Sequence, residues 1–252
     1  SHFCARNFLL SMVYIRRKWL LSSFLTKKFQ KNFPARRKFD RPRHFSYNFR
    51  RDRCAKGDGK IVNIRLYAIR ISQPLSEAEQ AALARFLPPE RQDRAKEPEA
   101  LCAYALLCRA LRELYGWGNL PQLSYGAHGK PYFASHPDVH FSLSHTRGAV
   151  LLAVHVEPVG ADIERLRPVS DTMPARFHAA SDADFWRLWV QRESRCKRAG
   201  ISAVALRDRE VPSVPNERIF ALEPFSDYVA SVCTCSGADV DKLICLTAQE
   251  LI

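Results

Sequence analysis

No stretch of the 252-residue chain approaches the run of about 18 apolar residues that a membrane-spanning helix needs, so a spanning protein is not expected. Cysteine is present without pattern. Cys4, Cys54, Cys102, Cys108, Cys196, Cys233, Cys235 and Cys245 form no C-x-x-C pair and no Cys/His cluster at zinc spacing. Cys102, Cys108 and Cys245 stand in apolar runs, where a free Cys acts as a small hydrophobe. A reducing, cytoplasmic setting fits this usage better than a disulfide framework. Regular strand–helix alternation is missing, which disfavours a doubly wound parallel sheet, and no short-period repeat is visible. Methionine is scarce, with Met12 and Met173 alone, and residues 1–56 contain no glycine.

The charge that is present lies unevenly. The net charge is +13, yet residues 1–56 hold 16 Lys and Arg against Asp40 and Asp52, leaving the rest close to neutral. The body is therefore not expected to coat nucleic acid. Residues 1–56 also hold eight of the 15 Phe, scattered among Arg and Lys with no lasting period. The order of basic and apolar residues is wrong for a signal peptide. An interfacial membrane anchor or an RNA-stacking segment are alternatives. The expectation is a basic extension that is non-native or disordered. Composition changes abruptly at residues 60–69, and Val62 is a candidate start.

Residues 61–71 alternate as a strand does. Ser76 with Glu79 reads as a capping box opening a helix that Pro88-Pro89 ends. Pro98 opens a long helix to Tyr115, with Leu101, Ala105, Cys108 and Leu111 on one stripe and Gly116 at its end. Residues 123–125 read as a short extended piece and 127–131 as a turn; 139–144, 149–156 and 159–164 read as strands. Residues 185–200 form a helix with Phe185, Leu188 and Trp189 as its buried stripe. Residues 204–209, 218–223 and 228–235 read as a final antiparallel sheet.

Four motifs carry chemistry. In Gly160-Ala161-Asp162-Ile163-Glu164, the two acids alternate onto one face of a strand, where a hard divalent cation relieves their repulsion. In the 185–200 helix, Glu193 follows Trp189 by four residues and Lys197 follows Glu193 by four. That spacing allows an i,i+4 salt bridge, or a further ligand with a lysine for phosphate. Phe141-Ser142-Leu143-Ser144-His145-Thr146 places a His and hydroxyls at a strand end. Gly129-Lys130-Pro131 is a turn offering Lys130 to an anion.

Together and in this order, the four resemble the 4′-phosphopantetheinyl transferase superfamily, of the surfactin-synthetase-activating type. That type carries G-K-P-x-F, F-(N/S)-(L/I)-S-H-(S/T), G-x-D-(I/V)-E and W-x-x-K-E-(A/S)-x-x-K. The bacterial holo-acyl-carrier-protein synthase 2 branch is the nearest in pattern. The resemblance covers residues 62–236. It implies an α+β fold of two pseudo-twofold halves, divided as 57–159 and 160–252 after the 1–56 extension. It also implies a monomer. The activity implied is transfer of phosphopantetheine from coenzyme A to a serine of an apo acyl or peptidyl carrier protein, releasing adenosine 3′,5′-bisphosphate.

By resemblance, Asp162, Glu164 and Glu193 hold Mg²⁺, and Asp162, Glu193 and Lys197 are catalytic. Arg91, Arg94, Lys96, Lys130, Pro131, Ser144, His145, Arg192 and Lys197 meet coenzyme A. Three departures stand out. The usual K-E is Arg192-Glu193, and Arg is not an equivalent donor. Glu99 stands where the family often has a base. The segment between Glu164 and Phe185 is short, with 176–180 as a remnant of the usual stretch. The rival reading is an inactive coenzyme A or carrier-protein binder. Arg187, Arg195 and Arg198 share a helix face, expected to receive the acidic carrier protein.

Overall fold

The structure is a computed structural model that describes residues 63–170, 172–202 and 211–252. Residues 1–56, the Val62 start and the strand expected at 204–209 lie outside the described residues. The fold is mixed α+β, as the sequence suggests.

Strand β1 (Arg65–Arg70) leads to helix α1 (Glu77–Ala84), and a 3₁₀ segment (Pro89–Arg94) follows. Ser76 Oγ accepts from Glu79 N while the Glu79 carboxylate accepts from Ser76 N, completing the capping box. Helix α2 (Pro98–Tyr115) starts with Pro at N1 and stops at Gly116. Its apolar stripe buries Leu101, Leu106, Leu107 and Leu111. Each such side chain contributes roughly 1.5–3 kcal/mol of transfer free energy.

Strands β2 (Leu123–Tyr125) and β3 (Pro131–Phe133) form a small hairpin. Strands β4 (His140–Thr146) and β5 (Ala149–His155) pair antiparallel, with Ser144 opposite Leu151. Gly148 closes their turn at φ 78°, and a Cβ there would lie 2.8 Å from the Tyr228 hydroxyl, so only glycine fits. Glu99 Oε1 accepts from Gly148 N at 2.9 Å. The residue that departs from the family pattern thus fastens α2 to this turn.

Strand β6 (Val159–Arg165) precedes a short helix α3 (Thr172–Arg176) and the long helix α4 (Asp182–Ala199). Strands β7 (Arg218–Leu222), β8 (Tyr228–Thr234) and β9 (Ile244–Thr247) end the chain with a 3₁₀ turn (Gln249–Leu251). Two larger sheets result, ordered β4-β5-β1-β9 and β6-β8-β7. The second is antiparallel, as expected for its final strands, with β6 as an edge member. The sequence gives no sign of β9, which pairs parallel with β1 and carries the chain's end back to its first strand.

Alternation sorts the side chains of the first sheet. Tyr67, Ile69, Val150, Leu152 and Val154 pack on α2. Leu66, Ala68, Ala149, Leu151 and Ala153 face Val159, Ala161, Ile163, Ala230 and Val232 of the second sheet. Helix α4 covers that sheet's outer face through Phe185, Trp186 and Val190 against Val229. The layers run helix, sheet, sheet, helix. No helix among the described residues is long and apolar enough to cross a membrane.

Cys102 is buried and Cys108 half-buried on α2, and burial pushes their thiols up to about 12 and about 11. They act as small hydrophobes. Cys245 stands in an apolar run but is exposed on β9, so the expectation that it acts as a small hydrophobe there is corrected.

Candidate active site

The inner face of β4 carries Ser142, Ser144 and Thr146, and these reach the edge strand β6. Ser144 Oγ donates to Asp162 Oδ1 at 2.6 Å, and Thr146 Oγ1 donates to Glu164 Oε2 at 2.9 Å. Both acids are almost fully enclosed, at 1% and 4% exposure. Burying a carboxylate is costly unless cations or hydrogen bonds compensate it. Lys197 Nζ from α4 supplies one compensation, 2.6 Å from Asp162 Oδ1 and 2.8 Å from Ser144 Oγ. Arg167 supplies another, 3.3 Å from Glu164 Oε2. Its guanidinium lies 3.9 Å over the Trp186 ring, whose indole N–H donates to the Arg167 carbonyl. Asp162 Oδ2 is buried and has no hydrogen-bond partner.

Helix α4 can sit this close because of Gly160. A Cβ there would lie 2.0 Å from the Ser194 carbonyl and 2.3 Å from Arg198 N, closer than any real contact. Ser181 caps the helix by accepting from Asp184 N, so α4 begins one turn before the expected start. Its buried residues are Phe185, Trp186, Val190, Glu193, Ser194 and Cys196. Leu188 is exposed and Trp189 half-buried, correcting the expected stripe. The helix is rotated so that its polar Glu193, not Leu188, turns inward, 7% exposed. Lys197 crosses to β6.

The other expected site residues are spread more widely. Arg94 Nη2 approaches His145 Nε2 at 3.4 Å and pairs with Glu97. Arg91 lies over the Tyr125 ring and donates to its hydroxyl, while Lys96 is exposed. Lys130 is half-buried, and its Nζ donates to the Val159 carbonyl at 3.0 Å and the Arg198 carbonyl at 3.5 Å. Burial, with Arg198 and Lys197 nearby, pushes its ammonium down to about 8. Pro131 opens β3 and orients that turn. Arg192 lies 5.6 Å from the Phe177 ring centroid.

Arg195 and Arg198 do not form the expected open basic face with Arg187. Both grip the enclosed Glu217, at 2.8 and 3.3 Å, and only Arg187 is well exposed. Glu217 lies beyond the helix in sequence, so helical angles alone could not place it. Among the described residues, no three His, Cys, Asp or Glu side chains are gathered closely enough to hold a metal ion.

No protein-family model matches the sequence. Individual relatives do. A 4′-phosphopantetheinyl transferase of Bacillus subtilis is 27% identical over 225 residues, covering 75% of this chain and 100% of the relative. The 4′-phosphopantetheinyl transferase AcpT of Salmonella typhi is 31% identical over 152 residues, covering 53% of this chain and 74% of the relative. The chain belongs to the 4′-phosphopantetheinyl transferase family. The AcpT of Escherichia coli K12 is 32% identical over 137 residues, covering 46% of this chain and 67% of the relative. This phosphopantetheinyl transferase therefore brings Asp162, Glu164, Ser144 and Lys197 into one hydrogen-bonded cluster. Sequence reasoning named Ser142 and Thr146 only as members of the 141–146 motif, with no partner for either, and missed Trp186 and Glu217. For the first two a signal existed: hydroxyls at i, i+2 and i+4 alternate as the D-x-E acids do.

Proposed function

We propose that this transferase moves 4′-phosphopantetheine from coenzyme A to a serine of an apo acyl or peptidyl carrier protein, as a holo-acyl-carrier-protein synthase does. The observation that carries the reading is Asp162: enclosed, touched by Lys197 through Oδ1, and with Oδ2 unspent. The buried acids fit a hard cation in donor chemistry, since Mg²⁺ prefers carboxylate oxygens shared with phosphate. By the resemblance Asp162, Glu164 and Glu193 would hold it, although in this structure the three are not gathered as a ligand set. Bound there, Mg²⁺ supplies charge neutralisation to the pyrophosphate of coenzyme A.

The chain's own residues do the rest. Glu193 accepts the proton of the carrier serine. The serine oxygen then bonds to the phosphorus bearing pantetheine, and the bond to the departing adenosine 3′,5′-bisphosphate breaks. Lys197 stabilises charge on the phosphates. Arg94 and His145, which approach each other, together with Arg91 and Lys96, receive the nucleotide end. Lys130, Pro131, Ser144 and Arg192 complete the coenzyme A contacts. A division near residue 160 would separate the two pseudo-twofold halves that hold the ligand between them, with β9 returning to the first sheet.

The test is intact-mass measurement of an apo carrier protein incubated with this protein, coenzyme A and Mg²⁺, with and without chelator. A mass gain of one phosphopantetheine, lost on chelation, supports the reading. Tight coenzyme A binding with no mass gain on any carrier class would favour the inactive binder.

A further inference from the structure

Arg195 and Arg198 are engaged by Glu217, so a docking face for the acceptor protein has to be sought elsewhere. The ends of four strands supply one. Arg70 closes β1, Arg165 closes β6, Tyr228 opens β8, and Arg147 stands in the turn between β4 and β5. Register brings these ends together: Arg70 pairs with Ala149 beside that turn, and Arg165 pairs with Tyr228. Arg70, Arg147 and Arg165 are all exposed. We propose that this arginine cluster is the surface on which the carrier protein docks, met by carboxylates that the carrier presents around its acceptor serine. The proposal rests on the transferase reading above.

The cluster carries more positive charge than it neutralises. Arg70 Nη2 and Arg165 Nε reach the two oxygens of a single acid, Asp227, each at 3.3 Å. One carboxylate thus serves two guanidiniums, and Arg147 adds a third. An acidic partner surface completes such a balance, and it sets association and register more than raw affinity. The backbone under Arg147 is fixed from three directions. Tyr228 Oη donates to the Arg147 carbonyl at 3.0 Å, Gly148 N donates to Glu99 Oε1 at 2.9 Å, and Ile71 N donates to the Gly148 carbonyl at 2.8 Å. A loop tip held this way presents its side chain with little ordering cost on binding.

Position identifies the partner. Glu164 directly precedes Arg165, and Thr146, which donates to Glu164, directly precedes Arg147. The cluster therefore borders the face that carries D-x-E. Alternation turns His145, with Arg94 beside it, to the opposite side of β4 from Ser144 and Thr146. The nucleotide end of coenzyme A is assigned to that opposite side, which leaves the rim beside Glu164 to the acceptor. The arginines are spread over the ends of both sheets, a layout that suits a protein surface and not a single phosphate.

The experiment uses the full chain and a fluorescently labelled apo acyl carrier protein, with binding read by anisotropy and transfer kinetics measured alongside. Arg147→Glu and Arg165→Glu combined should weaken carrier binding and raise the carrier KM by about tenfold. The kcat and the KM for coenzyme A should stay within about twofold of wild type, and the difference in carrier binding should shrink in about 0.5 M salt. Arg165→Ala, a second variant in case the double reversal does not fold, should raise the carrier KM by about threefold. Residues 1–56 are the same in every variant, so their charge cannot produce these differences. Unchanged carrier affinity in both variants would overturn the docking face. So would an equal loss in Arg187→Glu, which would return docking to α4, or equal losses against carrier and coenzyme A. Each of these leaves the transferase reading standing. A wild type that neither binds nor modifies the carrier would overturn that reading, and the docking face with it.

Discussion

Strands β5 and β6 are each seven residues long and are enclosed almost throughout, yet they hold opposite chemistry. β5 reads Ala-Val-Leu-Leu-Ala-Val-His and fills both cores with aliphatic groups. β6 keeps Val159, Ala161 and Ile163 for the shared core and turns Asp162 and Glu164 to its other face. Burial on β5 stabilises the fold through apolar area. Burial of the acids on β6 costs desolvation, which Lys197, Arg167 and the β4 hydroxyls offset. Equal burial therefore does not mean equal purpose. A core made for stability alone has no need of enclosed acids, so the β6 face is where function is to be sought.

The comparison breaks most visibly at Glu193. Glu193→Gln keeps shape and removes charge, and should lower carrier-protein transfer by at least about 100-fold, or about 2.7 kcal/mol of barrier. The near-ultraviolet spectrum should stay native. Near wild-type turnover at saturating Mg²⁺ would return Glu193 to a structural role. Leu152→Ala on β5 should do the reverse, costing about 2–5 kcal/mol in urea unfolding while the folded fraction keeps its transfer rate. A transfer loss without a stability loss would erase the contrast between the strands.

Gly160→Ala sharpens the picture, because it acts on both properties at once. The new methyl meets the α4 backbone, so we expect about 1–3 kcal/mol of destabilisation and a loss of transfer as Glu193 and Lys197 are lifted from β6. An unchanged melting temperature would mean that α4 does not rest on this glycine.

The smallest expected effect concerns Lys130. Its ammonium titrates at about 8 in the fold, against 10.5 in the open chain. Below pH 8 both states are charged, and the fold carries the full cost of burying that charge. Between about pH 8 and 10.5 the unfolded chain holds more protons, so this group makes stability rise with pH. Lys130→Met should remove a contribution on the order of 1–3 kcal/mol to that rise, seen by urea unfolding at pH 7.5 and pH 10. Identical pH slopes in both proteins would contradict it.

Local signals carried much of the fold in the sequence. The Ser76–Glu79 capping box, the Pro98–Tyr115 helix and the paired strands 140–146 and 149–155 all rest on neighbours in the chain. What was hidden depends on distant partners. Strand β9 is four residues long and is defined by pairing with β1, far away in sequence. The phase of α4 follows from packing over Gly160, which brings Trp186 inward and leaves Leu188 out. Arg195 and Arg198 pass for a solvated face until Glu217 arrives from beyond the helix. At the site, D-x-E and Glu193 stood out as residue types, whereas the hydroxyl assigned to each acid needed the second sheet.

The most direct test of the β6 account sets wild type beside Asp162→Asn, each incubated with coenzyme A, Mg²⁺ and an apo carrier protein, with intact mass as the readout. The account predicts that the wild type adds one phosphopantetheine per carrier and that Asp162→Asn, folded by circular dichroism, adds none over the same time. Transfer by Asp162→Asn at the wild-type rate would contradict it.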